Sequence, residues 1–179
     1  MASKLNHITD MHKSFIGKQK IFFIGTAPKD GRINVSPKGM DTLRVIDRNT
    51  IYWLNLTGSG NETAAHVVEN ERMTIMFCAF EGKPLILRLY GSARVFGRKD
   101  PKWSKMSSFF SDIPGARQVF EFNVDLVQSS CGFAVPLYTF ERDRENLVKW
   151  AVNKGEKELD TYRAEKNTRS LDGKVIPLG

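Results

Sequence analysis

Residues 73–80 read Met-Thr-Ile-Met-Phe-Cys-Ala-Phe, and residues 85–96 read Leu-Ile-Leu-Arg-Leu-Tyr-Gly-Ser-Ala-Arg-Val-Phe. Both runs are rich in β-branched, aromatic and other large apolar side chains, which are typical of strands. A polar turn sequence, Glu-Gly-Lys at 81–83, separates them. The two runs therefore predict long neighbouring strands of one sheet, and both are far shorter than the roughly 20 residues that a membrane-spanning helix needs.

The sequence on either side predicts more short strands. Upstream, the turn sequence Pro-Lys-Asp-Gly at 28–31 predicts a hairpin over residues 21–37, and residues 42–46 and 50–54 form a second strand pair. Downstream, residues 118–127 alternate between polar and apolar side chains. About six strands at short intervals predict a β-rich α+β fold, a six-stranded antiparallel β-barrel with peripheral helices.

Helical patterns lie between and after these strands. They begin near Thr9, at residues 64–70 and 101–111, and again from about residue 141. We find no linker or repeat, so we expect one domain over residues 1–179 with a helical C-terminal extension. The N-terminal residues lack an apolar signal sequence, and two cysteines cannot form a disulfide framework, so we expect a cytoplasmic protein.

The charge is moderately basic and unevenly placed. The 179 residues include 27 Lys and Arg against 20 Asp and Glu, a net charge of +7. Residues 1–60 alone hold nine basic and four acidic residues, a net of +5. This distribution favours an anionic ligand. Without a block of five or six cations we expect no nucleic acid or membrane partner, and without a Cys/His cluster we expect no metal site.

The most informative stretch for function is residues 56–66, Leu-Thr-Gly-Ser-Gly-Asn-Glu-Thr-Ala-Ala-His. Two glycines directly before a helix could turn successive backbone N–H groups towards an anion, and the helix N-terminus adds its positive dipole end. Thr57, Ser59, Asn61 and Thr63 could donate to phosphate oxygens. The alternative is a capping box, because Ser59 and Glu62 have its spacing. Both interpretations stay open on the sequence alone.

Two further candidate sites each contain a cationic side chain, Lys38 in the first and Arg88 in the second. Asn34, Ser36 and Lys38 belong to the end of a predicted strand, where Ser36 and Lys38 share one face. Lys38 could serve as a point charge for an anion or as an ordinary surface lysine. Arg88 lies between apolar residues, and its partner could be a ligand anion, a carboxylate or water. We find no convincing nucleophile or acid–base pair, so catalytic residues stay unassigned.

The ordered series INVSPKG (33–39), TGSGNETAAH (57–66), MTIMFCAF (73–80) and LRLYGSARV (87–95) resembles the pyridoxamine 5′-phosphate oxidase-like, FMN-binding split-barrel family. Segments near residues 129–136 and 162–167 resemble an uncharacterised bacterial branch of it. The resemblance implies a split barrel and a homodimer that holds FMN between its subunits. It aligns a strand motif of the family with Asn34–Lys38, which places Ser36 and Lys38 beside the flavin or its phosphate, and it places Gln128 near the flavin.

Two departures from the family pattern qualify the implied function. The phosphate-binding loop of the family usually reads Ser-Arg-Lys, whereas residues 59–63 contain no Lys or Arg. The C-terminal residues do not match the Trp and Arg-rich ending of true pyridoxamine 5′-phosphate oxidases, so we do not predict vitamin B6 oxidation. The resemblance implies an FMN-dependent oxidoreductase of unassigned substrate. The alternative is a non-catalytic, flavin- or haem-binding or stress-related protein on the same barrel.

Overall fold

The computed structural model describes residues 3–177, and an antiparallel sheet occupies most of that span. The elements in chain order are β1 (Ser3–Leu5), α1 (Asp10–Ile16), β2 (Ile21–Thr26), β3 (Asn34–Gly39), β4 (Leu43–Val45), β5 (Thr50–Leu56), α2 (Glu62–Asn70), β6 (Arg72–Cys78), β7 (Ile86–Gly97), α3 (Trp103–Ser107), β8 (Ala116–Ser130) and α4 (Asn146–Lys166).

The strand order is β3-β2-β6-β7-β8-β5-β4, and β1 pairs with the C-terminal half of β8. Strands β3 and β4 are the two ends of this path, so the barrel is open between them. The β-rich antiparallel barrel with peripheral helices is confirmed, with eight strands in the described residues rather than six. Strand β1 was not predicted, whereas β4, which is also only three residues long, lies within the predicted strand at residues 42–46.

One face of the sheet packs against the main hydrophobic core. Ile24, Ile75, Leu87 and Leu89 are fully buried there, and Trp53 stacks on Phe120 with ring centroids 4.6 Å apart. A second cluster, around Leu54, Met106 and Val119, lies beneath α3. Together the clusters fix the strands that carry the candidate site.

The long hairpin of β7 and β8 contains a β-bulge at Gly91. A Cβ atom at this position would overlap the carbonyl oxygen of Asn123 on the neighbouring strand. Glycine is therefore required here by the close approach of two backbones. The bulge lies midway along the hairpin, where it increases the local twist and helps the sheet to curl.

The helices of the described residues lie where the sequence predicted them, but most of their ends are shifted by a few residues. Thr9 is the N-cap of α1, and its hydroxyl accepts a hydrogen bond from the backbone N–H of His12. The predicted helix over 101–111 is shorter, covering Trp103–Ser107. Among residues 3–177 no helix combines the length and the hydrophobicity that crossing a membrane requires.

Candidate functional site

An open cleft of about 370 Å³ lies where the two ends of the sheet approach each other. Edge strand β3 forms one wall, β5 forms the other, and the loop at residues 57–61, here called the glycine loop, closes one end together with the start of α2. The Lys38 ammonium lies 5.2 Å from the centre of the Trp53 ring, so a side chain from β3 reaches across to β5. The volume is within the range of small-molecule sites.

Seven of the nine predicted site residues line this cleft. They are Asn34, Ser36, Lys38, Thr57, Ser59, Asn61 and Thr63. The strand end and the glycine loop, which the sequence singled out separately, are thus brought to one place. A hydrogen bond of 3.3 Å from the amide of Asn34 to the hydroxyl of Thr63 connects them directly.

The other two predicted residues, Arg88 and Gln128, lie elsewhere. They are directly opposite each other on β7 and β8, and their side chains are on the face of the sheet away from the core. Arg88 donates to the Ser130 hydroxyl (3.3 Å), and the Tyr90 hydroxyl donates to Gln128 Oε1 (3.2 Å). Neither Arg88 nor Gln128 lines the cleft.

The glycine loop leaves a run of backbone donors free. The backbone N–H groups of residues 58–63 have no acceptor within residues 3–177. The N-cap of α2 is Asn61, whose side chain makes no capping hydrogen bond. The capping-box alternative is therefore wrong, because the Glu62 carboxylate instead accepts the backbone N–H of Leu171, at 3.1 Å. Free N–H groups at a helix N-terminus attract an anion.

The conformation of the loop differs from the one that its glycines suggested. Neither Gly58 nor Gly60 has a positive φ. A Cβ atom at Gly58 would meet nothing within 4 Å, and one at Gly60 would only touch Glu62 at 4.0 Å. The glycines therefore keep space open above the loop rather than provide a left-handed backbone.

The polar side chains of the loop region differ in what they can still bind. Thr57 donates its hydroxyl proton to the carbonyl of Gly115 (2.8 Å), which leaves it none for a ligand. Asn61 is held in a buried amide network with Asn55 and Gln118, at 2.9–3.1 Å. Exposed Ser59 has no side-chain partner among the described residues. Ser59 and the proton of Thr63 are consequently the available hydroxyl donors here.

Ser36 and Lys38 present unused polar groups from β3. The Ser36 hydroxyl is buried and has no hydrogen-bond partner within residues 3–177. Lys38 has no carboxylate within 4 Å in that part of the chain. Burial lowers the pKa of Lys38 to about 8, and the positive charge of Arg117 contributes to the shift. Such an ammonium would gain a favourable interaction from an anion in the cleft.

Arg117, which sequence analysis missed, supplies the second cation of the cleft. Its side chain is 6% exposed. Its guanidinium donates to Asn167 Oδ1 (2.7 Å) and to the carbonyl of Gly60 (2.8 Å), both neutral acceptors, and its Nε has no partner in the described chain. Burial, followed by the charge of Arg163, lowers the pKa of Arg117 to about 10. A buried guanidinium without a carboxylate is unfavourable unless an anion joins it.

The C-terminal segment, residues 167–177, lies against the glycine loop. Asn167 is 1% exposed and donates from Nδ2 to the carbonyls of Gly58 (3.2 Å) and Ser59 (3.5 Å). Further along, Gln118 Nε2 donates to the carbonyl of Pro177, at 2.8 Å. On α4, Arg163 donates to the Thr57 hydroxyl (2.9 Å) and is neutralised by Asp160 (2.7 Å). Of the two arginines that contact the glycine loop in the described chain, Arg117 is thus the one without an acidic partner.

A larger cleft of about 1090 Å³ lies between α1, the β6–β7 turn and residues 138–140. Its lining is largely apolar and includes Phe15, Phe23, Phe80 and Phe140. It contains none of the predicted site residues, whereas Ser36 and Arg117, which carry unpartnered buried polar atoms, line the smaller cleft. We therefore take the smaller cleft as the candidate site.

Comparison with known proteins gives a family match over most of the chain. Residues 8–131 match the family model described as pyridoxamine 5′-phosphate oxidase. A pyridoxamine 5′-phosphate oxidase family protein of Aspergillus flavus, ustO, is 34% identical over an alignment that covers 93% of this chain and 74% of that protein. This relative is fungal, whereas the resemblance in the sequence pointed to a bacterial branch of the family.

Solved structures share the fold. HupZ of Group A Streptococcus, in a form with one substituted residue, superimposes with a TM-score of 0.56 at 20% identity, covering 69% of this chain and 99% of HupZ. A Lactobacillus delbrueckii protein provisionally named a pyridoxamine 5′-phosphate oxidase gives 0.55 at 17% identity, with coverages of 69% and 94%. At these identities the likeness concerns the fold alone.

Proposed function

Because this chain belongs to the pyridoxamine 5′-phosphate oxidase family, we propose that it is an FMN-binding flavoprotein whose cleft between β3, β5 and α2 holds the cofactor phosphate. The observation that carries the proposal is the set of unused donors around one open space. They are the N–H groups of residues 58–63, the Ser36 hydroxyl, the Lys38 ammonium and Arg117 Nε. A phosphate dianion accepts hydrogen bonds of this kind and compensates both buried charges.

When bound, FMN would accept hydride or electrons from a reductant and pass them to a substrate. We therefore propose that the protein is an oxidoreductase whose substrate is unassigned. The residues of the chain would bind and orient the cofactor. In the proposal, Lys38 keeps its ammonium next to the phosphate or the flavin ring, and Ser36 donates its free proton. Flavin is favoured over haem because none of the described histidines lines the cleft. Turnover with NAD(P)H would separate an enzyme from a non-catalytic flavin-binding protein.

We further propose that the functional unit is a homodimer formed through the outer face of the sheet, defined as Phe23, Met76, Tyr90 and Leu126 with the surrounding residues. These side chains are only partly buried and lie opposite the core-facing residues. A solvated antiparallel face normally carries polar side chains, so an apolar one indicates a covering partner. Arg88 and Gln128 lie on this face, and the proposal gives them contacts in the interface.

The phosphate assignment predicts a strong preference for FMN over riboflavin, which lacks only the phosphate. We expect FMN to bind at least about tenfold more tightly, because charge-assisted hydrogen bonds contribute about 1.5–3 kcal/mol. Quenching of flavin fluorescence during titration measures both affinities. Identification by mass of any ligand released on denaturation is the complementary measurement. Equal affinities, or no FMN binding by the purified protein, would contradict the proposal.

The lowered pKa of Lys38 predicts that FMN affinity falls with rising pH while the free energy of unfolding without ligand rises. As the pH rises through about 8, the ammonium loses its proton, so FMN affinity should fall above this pH. The unfolded chain keeps that proton up to about 10.5, so it binds more protons than the folded chain between pH 8 and 10.5. The contribution of Lys38 to the free energy of unfolding without ligand therefore rises across that window.

Titrations and denaturant unfolding at pH 7–10 check this prediction. Lys38→Met should remove the alkaline fall in FMN affinity, whereas Lys18→Met, at an exposed position between α1 and β2 that does not line the cleft, should keep it. An identical pH profile in the wild type and Lys38→Met would show that another group titrates.

A further inference from the structure

We propose that Asn167, which lies outside the family-matched residues, is the positioning residue that makes the glycine loop an anion site. The inference rests on the proposed phosphate site. Asn167 is the C-cap of α4 and is buried with all of its amide groups in use. It belongs to a segment more than 100 residues away from the loop that it contacts.

The argument begins with the carbonyl groups of the loop. Asn167 Nδ2 binds the carbonyl oxygens of Gly58 and Ser59, and Arg117 binds that of Gly60. Three consecutive peptide units are thus held by their oxygens on one side. Since a trans peptide is planar and its N–H points opposite to its C=O, these contacts turn the N–H groups of residues 59, 60 and 61 to the other side.

The backbone itself does not provide this arrangement. Glycines can create an anion-binding concavity through left-handed conformations, but neither Gly58 nor Gly60 has a positive φ. The loop also lacks the capping box that could have fixed its geometry. The orientation of its N–H groups therefore depends on the residues that bind its carbonyls.

Asn167 also sets the orientation of the buried cation. Its Oδ1 accepts from Nη1 of Arg117 at 2.7 Å, while the neighbouring Nη2 binds the loop. An amide can satisfy the loop carbonyls and the guanidinium at the same time and still leave the positive charge uncompensated. An aspartate in its place would neutralise Arg117 and would lose both donors to the loop.

The two side-chain variants of Asn167 give different expectations. Asn167→Ala should weaken FMN binding about tenfold, with riboflavin affinity changed less than twofold. Asn167→Asp has nearly the same shape and keeps the acceptor for Arg117 but loses both donors to the loop, so a role limited to holding Arg117 predicts wild-type binding. We expect it instead to weaken FMN at least as much as the alanine variant. Asn153→Ala, at an exposed position of the same helix, is the matched control and should bind as the wild type does.

A second measurement separates this inference from the proposed function. Inorganic phosphate is titrated into the full chain, and the amide NMR signals of residues 58–63 are followed in the wild type and in Asn167→Asp. Signals that shift in the wild type and stay unchanged in the variant support the inference, even if FMN does not bind. Wild-type FMN affinity in Asn167→Asp, equal losses for FMN and riboflavin, or phosphate-induced shifts that are the same in the variant as in the wild type would overturn it.

Discussion

Replacing Arg117 by methionine is expected to weaken FMN binding on the order of 100-fold and to leave riboflavin affinity within about twofold. The guanidinium is buried at the cleft and has two neutral acceptors and no carboxylate within residues 3–177. Removing one member of a buried, hydrogen-bonded charge pair costs about 2–5 kcal/mol. Methionine keeps much of the length and apolar bulk of the arginine stem, so the change removes the charge and the hydrogen bonds to Asn167 and Gly60 with little loss of packing.

Thermal unfolding with and without FMN measures the same loss of affinity and needs no enzymatic activity. A ligand at 100 times its dissociation constant stabilises a protein by about 2.7 kcal/mol, and a 100-fold weaker affinity reduces this to about 0.4 kcal/mol. The FMN-induced rise in Tm should therefore almost vanish in Arg117→Met. Arg94→Met, at an exposed position on β7, should keep the full rise. Proportional loss of FMN and riboflavin binding would mean that Arg117 supports the fold rather than the phosphate.

Much of the fold could be predicted because its signals are local. The turn sequence at 28–31 and the alternation in its flanks are sufficient to define the β2–β3 hairpin, which pairs from Ile21–Gly39 to Thr26–Asn34. Strand β1 was missed because three exposed residues, Ser3–Leu5, carry no periodic pattern. Its pairing depends on the C-terminal half of β8, whose position the sequence does not reveal.

The candidate site was predictable only where each signal lay within one short segment. Lys38 and the glycine loop stood out separately, and the structure brings them to one cleft. Arg117 gave no such signal, because it looks like the polar start of a strand and its partner Asn167 is 50 residues away. The capping-box spacing of Ser59 and Glu62 was misleading for a related reason, since Leu171 in the C-terminal segment engages the glutamate.

The outer face of the sheet gives the second large expected effect. Met76→Glu should convert the proposed dimer into a monomer, with the dissociation constant raised about 1000-fold or more. Met76 lies between Phe23 and Arg88 in the sheet register and is partly buried. A carboxylate forced into an apolar interface costs several kcal/mol, and every 1.4 kcal/mol is a tenfold change in affinity. Sedimentation at micromolar concentration measures the mass directly.

The matched control is Val152→Glu, because Val152 is also apolar but lies 60% exposed on α4. We expect this variant protein to remain dimeric. Leu126→Glu, on the same outer face as Met76, should repeat the dissociation. If FMN lies between subunits, both monomeric variants should also bind it at least about tenfold more weakly, since the cleft of one subunit is open to solvent. If Met76→Glu and Leu126→Glu both remain dimeric, the proposed interface is wrong. Monomers that bind FMN with wild-type affinity would instead assign the whole cofactor site to a single chain.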